Sequence, residues 1–321
     1  MKQSHFEARH GQDWSRFDAQ LTRLEQPRKK GLASTPLAEF PEAYRRLCQQ
    51  LSLARERQYS AHLVDRLNQL ALRAHQQLYR APVNRWQAVL EFLVGGFPRL
   101  VRAEWRLFWL ATACFALPLL AMGIGVYLSP EWIYTLLDHG QVAELEAMYR
   151  PGGELERGAD SDLLMFGFYI FNNISIGFRT FAAGMLFGVG SIAILLFNGL
   201  YIGAVVGYLG ARGFGVTLWP FLIAHGAFEL TGIVVAGAAG LRLGHALISP
   251  GPYRRLEALR RAARVAVRLI YGMTALLLVA AFVEAFWSSS HHFPPGVRYS
   301  SGALCWLAVI LYLWRAGRRA A

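Results

Sequence analysis

Cysteine pairs and the common catalytic motifs are missing from this sequence of 321 residues. The three cysteines, Cys48, Cys114 and Cys305, have no spacing that indicates a disulfide framework or a zinc site. The chain contains no G-x-S-x-G sequence, no Walker sequence and no cysteine–histidine arrangement typical of a thiol enzyme. The sequence therefore predicts a protein that is not an enzyme and that holds no metal and no cofactor.

Charged residues are almost absent from several long apolar runs. Leu107–Leu128, Thr217–Leu241 and Val265–Trp287 each exceed the roughly 18 apolar residues that indicate a membrane-spanning helix. Backbone polar groups cannot stay unpaired in lipid, which leaves helices or closed barrels, and unbroken runs of this length exclude a barrel. The predicted fold class is all-α, a polytopic helical membrane protein.

Acidic residues are scarce relative to basic ones, which gives a net charge of +12. In a membrane protein this excess indicates topology rather than nucleic-acid binding, because Lys and Arg are retained on the cytoplasmic side. Residues 1–106 carry 18 basic and 10 acidic side chains, whereas residues 129–162 carry eight acidic and two basic ones. The pattern predicts a protein of the cytoplasmic (inner) membrane with both termini in the cytoplasm and an acidic external loop at 129–162.

Six membrane spans satisfy every charged loop. They are about 107–128, 165–187, 191–210, 217–243, 265–287 and 302–314. Residues 163–211 can be divided in two ways, with a hinge at Gly188–Gly190 or with a hinge at Phe197–Gly199 between two shorter spans. Both divisions give two crossings, so the predicted topology is the same.

Glycine is absent between Pro36 and Gly95, and apolar residues recur there with helical spacing. We expect a cytoplasmic helical domain over residues 1–96, built on an antiparallel hairpin that covers its apolar stripe internally or against a partner. The N-terminus has no charged-then-apolar signal sequence, so we expect this domain to be retained.

A basic segment, residues 97–106, precedes the first span. Its arginines recur on one helical face beside apolar and aromatic residues, which is typical of a helix at the membrane interface. We expect arginines at the span ends to act as anchors that reach the lipid headgroups. The predicted interface residues are Arg99, Arg102, Arg106, Arg242, Arg254 and Arg255.

Small residues at four-residue spacing predict close helix packing in lipid, because they let two backbones approach each other. The glycines in this pattern are Gly184, Gly188, Gly199, Gly203, Gly207, Gly240 and Gly244. These faces also permit a homo-oligomer.

Ionisable residues inside the apolar segments are few, and each is therefore informative. Glu229 lies near the middle of the fourth span, and His225 lies one turn before it on the same face, so the two can hydrogen-bond each other. Arg179 could neutralise Glu229 or Glu284. The other polar candidates are Asn172, Asn173 and Asn198. Three hypotheses stay open: a polar clamp between helices, a proton or ion path, and a substrate or lipid site.

Three stretches carry a resemblance to a known family: FNNISIGFRTFAAGMLFGVGSIAILLFNGLYIGAVVG, LWPFLIAHGAFELTGIVVAGAAGLRLGHALISPG and VAAFVEAF. They resemble the stage II sporulation protein M family, and FPEAYRRLCQQLSLARER resembles the N-terminal part of its longer bacterial members. The positions that match the family pattern are Asn172, Asn173, Asn198, Gly199, His225, Gly226, Glu229, Gly240, Arg242, Gly244 and Glu284.

The resemblance implies a non-enzymatic integral membrane scaffold without assigned catalytic residues. In endospore formers the namesake holds cell-wall-remodelling enzymes at the septal membrane, and elsewhere relatives accompany a MoxR-type ATPase. It thus implies protein partners of these kinds, membrane lipids and no nucleic acid. The alternative is a transporter or permease-like subunit with a polar intramembrane pathway at His225 and Glu229.

Overall fold

A computed structural model describes residues 2–25, 40–78, 85–150, 159–289 and 293–318. Within these ranges the chain is almost wholly helical and has no strand, so the predicted all-α class is confirmed. The chain divides into two compact units, Met1–Ala88 and Val89–Ala321, and the predicted boundary at residue 96 lies within the second unit. Glu154, Glu156 and Arg157 of the acidic segment lie outside the described residues.

The first unit contains three complete helices among its described residues, and a fourth, Arg85–Glu91, begins in it and ends in the second unit. The complete helices are α1 (Gln3–Glu25), α2 (Phe40–Glu56) and α3 (Ala61–Leu78). The hairpin predicted from the leucine spacing is formed by α2 and α3, and α1 also packs on α3. Phe6, Trp14 and Phe17 of α1 are buried in the same core as the leucines of the hairpin. The apolar stripe of the hairpin is therefore covered within the unit.

Arg73 ties α3 to the last turns of α1. Its guanidinium donates to Asp18 Oδ1 at 2.7 Å and to both carboxylate oxygens of Glu25, at 3.0 and 2.8 Å. This bidentate geometry is the strongest form of a charge-assisted hydrogen bond. Arg73 holds the pKa of Glu25 below its usual value through this hydrogen bond.

The described part of the second unit consists of short helices at its start and long ones after them. The helices are α4 (Arg85–Glu91), α5 (Phe97–Ala103), α6 (Trp105–Leu128), α7 (His139–Tyr149), α8 (Ala159–Ala182), α9 (Val189–Ala211), α10 (Gly215–Ile248), α11 (Arg255–Phe282) and α12 (Pro295–Arg315). Two π-helical segments, Phe92–Gly96 and Val283–Ser288, and two 3₁₀ segments, Pro130–Thr135 and Ala183–Met185, join them.

Five helical segments of the described chain are long and apolar enough to cross a membrane. They are α6, α9, α10, α12 and the continuous stretch Arg255–Ser288. The predicted span at 165–187 coincides with α8, which is less apolar because Asn172, Asn173 and Arg179 lie on it. The protein is thus a multi-pass membrane protein, and the sixth crossing stays a prediction.

The contact between α6 and α9 shows that these two helices run in the same direction and that α8 connects their opposite ends. A Cβ added at Gly199 would meet the Phe115 oxygen of α6, one at Gly203 the Leu119 oxygen, and one at Gly207 the Gly123 oxygen. Residue numbers therefore rise in the same direction along both helices. The two helices therefore run parallel. Because α9 starts at the opposite end of the bundle from the end of α6, the chain has to return between them, and α8 is the long helix that makes this return.

The helix α10 lies at the centre of the second unit. It packs against α6, α8, α9, α11 and α12, and Val235, Ala236 and Ala239 on it are fully buried. Its approach to the turn after α8 is especially close, since a Cβ at Gly184 would lie 2.2 Å from the Gly240 oxygen and a Cβ at Gly244 would lie 2.2 Å from the Gly188 nitrogen. Six of the seven glycines predicted to pack helices have a neighbouring atom within 2.4 Å of an added Cβ, and at the seventh, Gly188, the nearest atom is at 3.5 Å.

The break between α8 and α9 lies at Gly188, which has a φ of +82°. Of the two hinges that the sequence allows, the one at Gly188–Gly190 is therefore correct, and Phe197–Gly199 lies inside α9. Only glycine adopts this left-handed conformation without strain.

Replacing Gly203 with alanine should destabilise the membrane unit. The new Cβ would lie 2.4 Å from the Leu119 oxygen, which forces α6 and α9 apart. Overpacking of this kind costs about 1–3 kcal/mol, so the unfolding temperature of the purified protein should fall by roughly 3–10 °C. The matched control is Gly167→Ala on α8, where nothing lies within 4 Å, and equal losses in the two variants would contradict the close contact.

Replacing Arg73 with methionine should weaken the packing of α1 on α3. The loss in free energy of unfolding should be about 1 kcal/mol or less, because the ion pairs are partly exposed. The folded-state pKa of Glu25 is depressed, so its contribution is complete above the unfolded value, near pH 4.3, and is lost as the pH falls through the lower folded value. Hydrogen exchange in residues 3–25 should therefore be faster in the variant at pH 7, and the difference should shrink in acid.

Arg66→Met is the control for this measurement, since Arg66 lies exposed on the same helix and forms no ion pair with the described residues. Exchange that is equally fast in both variants at pH 7 would show that the Arg73 contacts do not hold α1.

Candidate functional site

Three ionisable side chains converge inside the membrane unit. His225 and Glu229 lie one turn apart on α10, and Glu284 comes from the π-helical segment that follows α11. Each offers one nitrogen or oxygen atom, and these atoms all lie within 4.8 Å of one another. Together with Asn173 and Ser288, which contact them, these residues are called the polar cluster below.

His225 is the most enclosed of the three, with 2% of its surface exposed. Its Nδ1 lies 3.1 Å from Ser288 Oγ, within hydrogen-bond distance, and its ring meets the Phe221 ring edge to face at 5.0 Å. Its Nε2 lies 3.8 Å from Glu229 Oε2. That separation is too long for a hydrogen bond, so the direct bond expected between His225 and Glu229 is not formed.

The π-helical segment Val283–Ser288 places two members of the cluster. Glu284 and Ser288 are buried, with 8% and 2% of their surfaces exposed, and the segment packs against both α8 and α10. A π-helical turn is wider than an α-helical one and occurs often at functional sites. The sequence alone gives no indication of this turn, although it already groups Glu284 with His225 and Glu229 among the intramembrane polar residues.

Asn173 joins the cluster from α8. Its Nδ2 donates to Glu284 Oε2 at 3.5 Å, and its own Oδ1 accepts from Asn172 Nδ2 at 3.0 Å. Asn173 is 3% exposed, whereas Asn172 lies on the exposed side of the helix. The two asparagines therefore have different roles, and Asn173 alone contacts a carboxylate.

Two predicted members lie elsewhere. Asn198 donates to the Ile194 oxygen of its own helix at 2.8 Å, and Arg179 is exposed six residues beyond Asn173, roughly 9 Å along α8. Among the described residues no ion pair joins Arg179 to Glu229 or Glu284, so the expected neutralisation is not seen. The basic side chain that lies beside these two carboxylates is His225.

Tyr149, at the end of α7, approaches the cluster from the segment predicted to be external. Burial raises the pKa of its phenol, and the carboxylates of Glu284 and Glu229 raise it further. Its ring contacts the Phe221 ring at 6.2 Å, and its backbone oxygen accepts from Thr217 Oγ1 at 2.6 Å. The cluster thus lies towards the α7 end of the bundle, under a residue that sequence reasoning missed.

Several of the predicted interface arginines make specific contacts within the protein. Arg102 donates to the backbone oxygens of Leu313 and Ala316, at 2.5 and 2.6 Å, and so satisfies the C-terminal end of α12. Arg242 lies 3.3 Å from the Glu104 carboxylate. Both contacts join parts of the chain that are far apart in sequence, so Arg102 and Arg242 have a role in the packing of the protein.

The other interface arginines make local contacts or stand at a helix start. Arg99 donates to the Gly95 oxygen one turn before it, and Arg106 lies over the Trp105 ring. Arg254 and Arg255 stand at the start of α11. Whether these residues also reach lipid headgroups stays a prediction.

The chemistry of the polar cluster is restricted by its burial. Ser288 and His225 lie within hydrogen-bond reach, as a nucleophile and its base do. Ser288, however, is enclosed, with 2% of its surface exposed. Two carboxylates beside an imidazole can instead hold protons, or hold a cation.

Two family models match the chain. The model described as Stage II sporulation protein M matches residues 107–289, which is more than half of the chain and includes the polar cluster. A model described as a domain of unknown function, DUF8413, matches residues 4–80. Neither a curated protein nor a solved structure matches the chain.

Replacing Asn173 with alanine should destabilise the membrane unit, because Glu284 loses a hydrogen-bond donor in a buried site. Hydrogen bonds between membrane helices contribute about 0.6–2 kcal/mol, so the unfolding temperature in detergent should fall by a few degrees. Asn198→Ala is the matched control, since its side chain bonds only to its own helix. In the Glu284→Gln background the effect of Asn173→Ala should be smaller, and full additivity of the two changes would contradict the contact.

Proposed function

The chain belongs to the stage II sporulation protein M family, and on this basis we propose that it is a non-enzymatic membrane scaffold. It anchors partner proteins that act in envelope or cell-wall-related processes. The partners that we propose are cell-wall-remodelling proteins or proteins linked to a MoxR-type ATPase. Its location would be the cytoplasmic membrane, with both termini in the cytoplasm, as the basic residues of 1–106 favour.

The observation that carries this proposal is the separate N-terminal unit. Met1–Ala88 folds around its own core of aromatic and leucine side chains, and its described helices include no candidate membrane span. A distinct domain model matches almost all of it. A water-soluble module attached to a membrane bundle suits the recruitment of a partner, because the bundle fixes its location and leaves the surface of the module available.

A cleft on this unit offers a contact surface for such a partner. It lies between α1 and α2, has a volume of about 220 Å³, and is lined by Asp13, Trp14, Arg16, Phe17, Gln20, Ala43, Arg46, Leu47 and Gln50. Arg16 and Arg46 are exposed at its edge, one on each helix. Two guanidinium groups beside a largely polar cleft favour a partner segment with acidic side chains.

The transporter alternative has no observation that specifically favours it. The polar cluster is local: its members come from α8, α10 and the π-helical segment after α11, and they are packed against one another. A non-enzymatic role is supported by the burial of Ser288, which separates the hydroxyl from any substrate.

Reversing the charge at the cleft should abolish partner binding without affecting the membrane unit. The variant is Arg16→Glu with Arg46→Glu, in the full-length protein, co-expressed with the MoxR-type ATPase or the cell-wall-remodelling enzymes of the same organism. Co-purification from detergent should fall at least tenfold. Arg9→Glu with Arg57→Glu is the matched control, since both residues are exposed on the same two-helix region but do not line the cleft.

Two results would count against the scaffold. In one, none of these partners co-purifies with the wild-type protein under conditions that keep it monodisperse. In the other, partner binding survives both the charge reversal and the removal of residues 1–88, in which case recruitment does not depend on the N-terminal unit.

A further inference from the structure

The polar cluster places two carboxylates together without a matching positive charge. Glu229 and Glu284 offer oxygens within 4.8 Å of each other, and no arginine or lysine forms an ion pair with either of them among the described residues. Two like charges at this distance repel strongly in a low-dielectric interior. The cluster therefore needs either protons on the carboxylates or a cation between them.

The spacing between His225 and Glu229 fits a bound cation better than a proton shared by these two side chains. Groups held together by a shared proton approach to hydrogen-bond distance, about 2.5–3.2 Å. His225 Nε2 and Glu229 Oε2 instead lie 3.8 Å apart. Two ligand atoms on a tetrahedral ion with bonds of about 2.0–2.1 Å lie roughly 3.4 Å apart, so this gap is close to the width of a bound metal ion.

We propose that His225, Glu229 and Glu284 bind one divalent transition-metal ion, of which Zn²⁺ is the type case. The imidazole contributes Nε2 and each glutamate contributes one carboxylate oxygen. The two carboxylates balance the charge of the ion, so the filled site is neutral inside the bilayer. A separation at the upper limit of 4.8 Å would close by about 1.4 Å when the ion is held.

The ligand set indicates the class of metal. One imidazole nitrogen with two carboxylate oxygens suits Zn²⁺ and the first-row ions such as Mn²⁺ and Fe²⁺. Mg²⁺ and Ca²⁺ prefer sites made only of oxygen. Three protein ligands leave a fourth position for water.

The surrounding contacts are those that a metal ligand requires. A ligating histidine is neutral and donates its other ring N–H to a neighbouring group. Ser288 Oγ, 3.1 Å from Nδ1, is placed to accept that hydrogen, which leaves the lone pair of Nε2 towards the carboxylates. Asn173 Nδ2 in turn donates to Glu284 and orients that carboxylate.

The near-complete burial of His225 is a second observation for this site. Its Nε2 is directed at the carboxylates but lies too far from Glu229 to hydrogen-bond to it. A metal ion between the three side chains would ligate this nitrogen directly. The ion would also link α10 to the segment after α11. This inference does not depend on the scaffold proposed above.

The test measures metal in the full-length protein, purified through a tag without histidine. After dialysis, elemental analysis should find close to one zinc ion per chain. Removal of the ion with a chelator should lower the unfolding temperature, and Zn²⁺ should restore it while Mg²⁺ should not. Co²⁺ added to the metal-free protein should give the visible absorption bands of a four-coordinate site.

Variants then assign the ligands. His225→Ala, Glu229→Gln and Glu284→Gln should each lower the affinity for Zn²⁺ more than a hundredfold, and Asn173→Ala should lower it about tenfold as an outer contact. His245→Ala and Glu131→Gln are the matched controls, since His245 is exposed at the end of the same helix and Glu131 is exposed in a 3₁₀ segment. Both should bind zinc as the wild type does.

Two results would overturn the proposal. In the first, monodisperse wild-type protein holds no zinc, gives no cobalt bands and keeps the same unfolding temperature when Zn²⁺ is added. The cluster would then be stabilised by protons on its carboxylates. Zinc retained by Glu229→Gln and Glu284→Gln would place the metal elsewhere. If a variant does not fold, the chelation and restoration of the wild-type protein decide between these outcomes without it.

Discussion

The close approach of backbones around α10 is the constraint on which the rest of the membrane unit depends. In lipid the hydrophobic effect does not drive helices together, so packing has to come from surfaces that fit closely. Gly184 and Gly240 bring backbones so near that a single methyl group would not fit, and Gly188 and Gly244 do the same one turn further on. With these contacts in place, α10 is enclosed by five neighbouring helices.

The enclosure of α10 also determines what its polar residues meet. A helix at the rim of the bundle could turn His225 and Glu229 towards an aqueous cavity or the headgroups, but a central helix presents them to other helices. The neighbours supply an amide from α8 and, through a locally widened turn, a carboxylate and a hydroxyl from the end of α11. The polar cluster is therefore a consequence of the packing around α10 as much as of the residues on it.

The sequence predicted what depends on composition and helical spacing. Long apolar runs indicated the helical membrane fold, the leucine pattern indicated the α2–α3 hairpin, and the glycine spacing indicated the close contacts. It could not predict contacts that depend on how distant helices are placed. Glu284 comes close to His225 from a π-helical turn that no sequence pattern indicated, and Arg179, which could have neutralised Glu229 or Glu284, is exposed on α8.

Arg102 joins the start of the membrane unit to its end. It holds the last carbonyl groups of α12, the Tyr312 hydroxyl donates to the Leu93 oxygen, and Gly317 packs against Gly95. α5 is synthesised long before α12, so Arg102 reaches the Leu313 and Ala316 oxygens only after the last of the described helices is made. A membrane unit without α12 would therefore leave the Arg102 guanidinium without these two backbone acceptors.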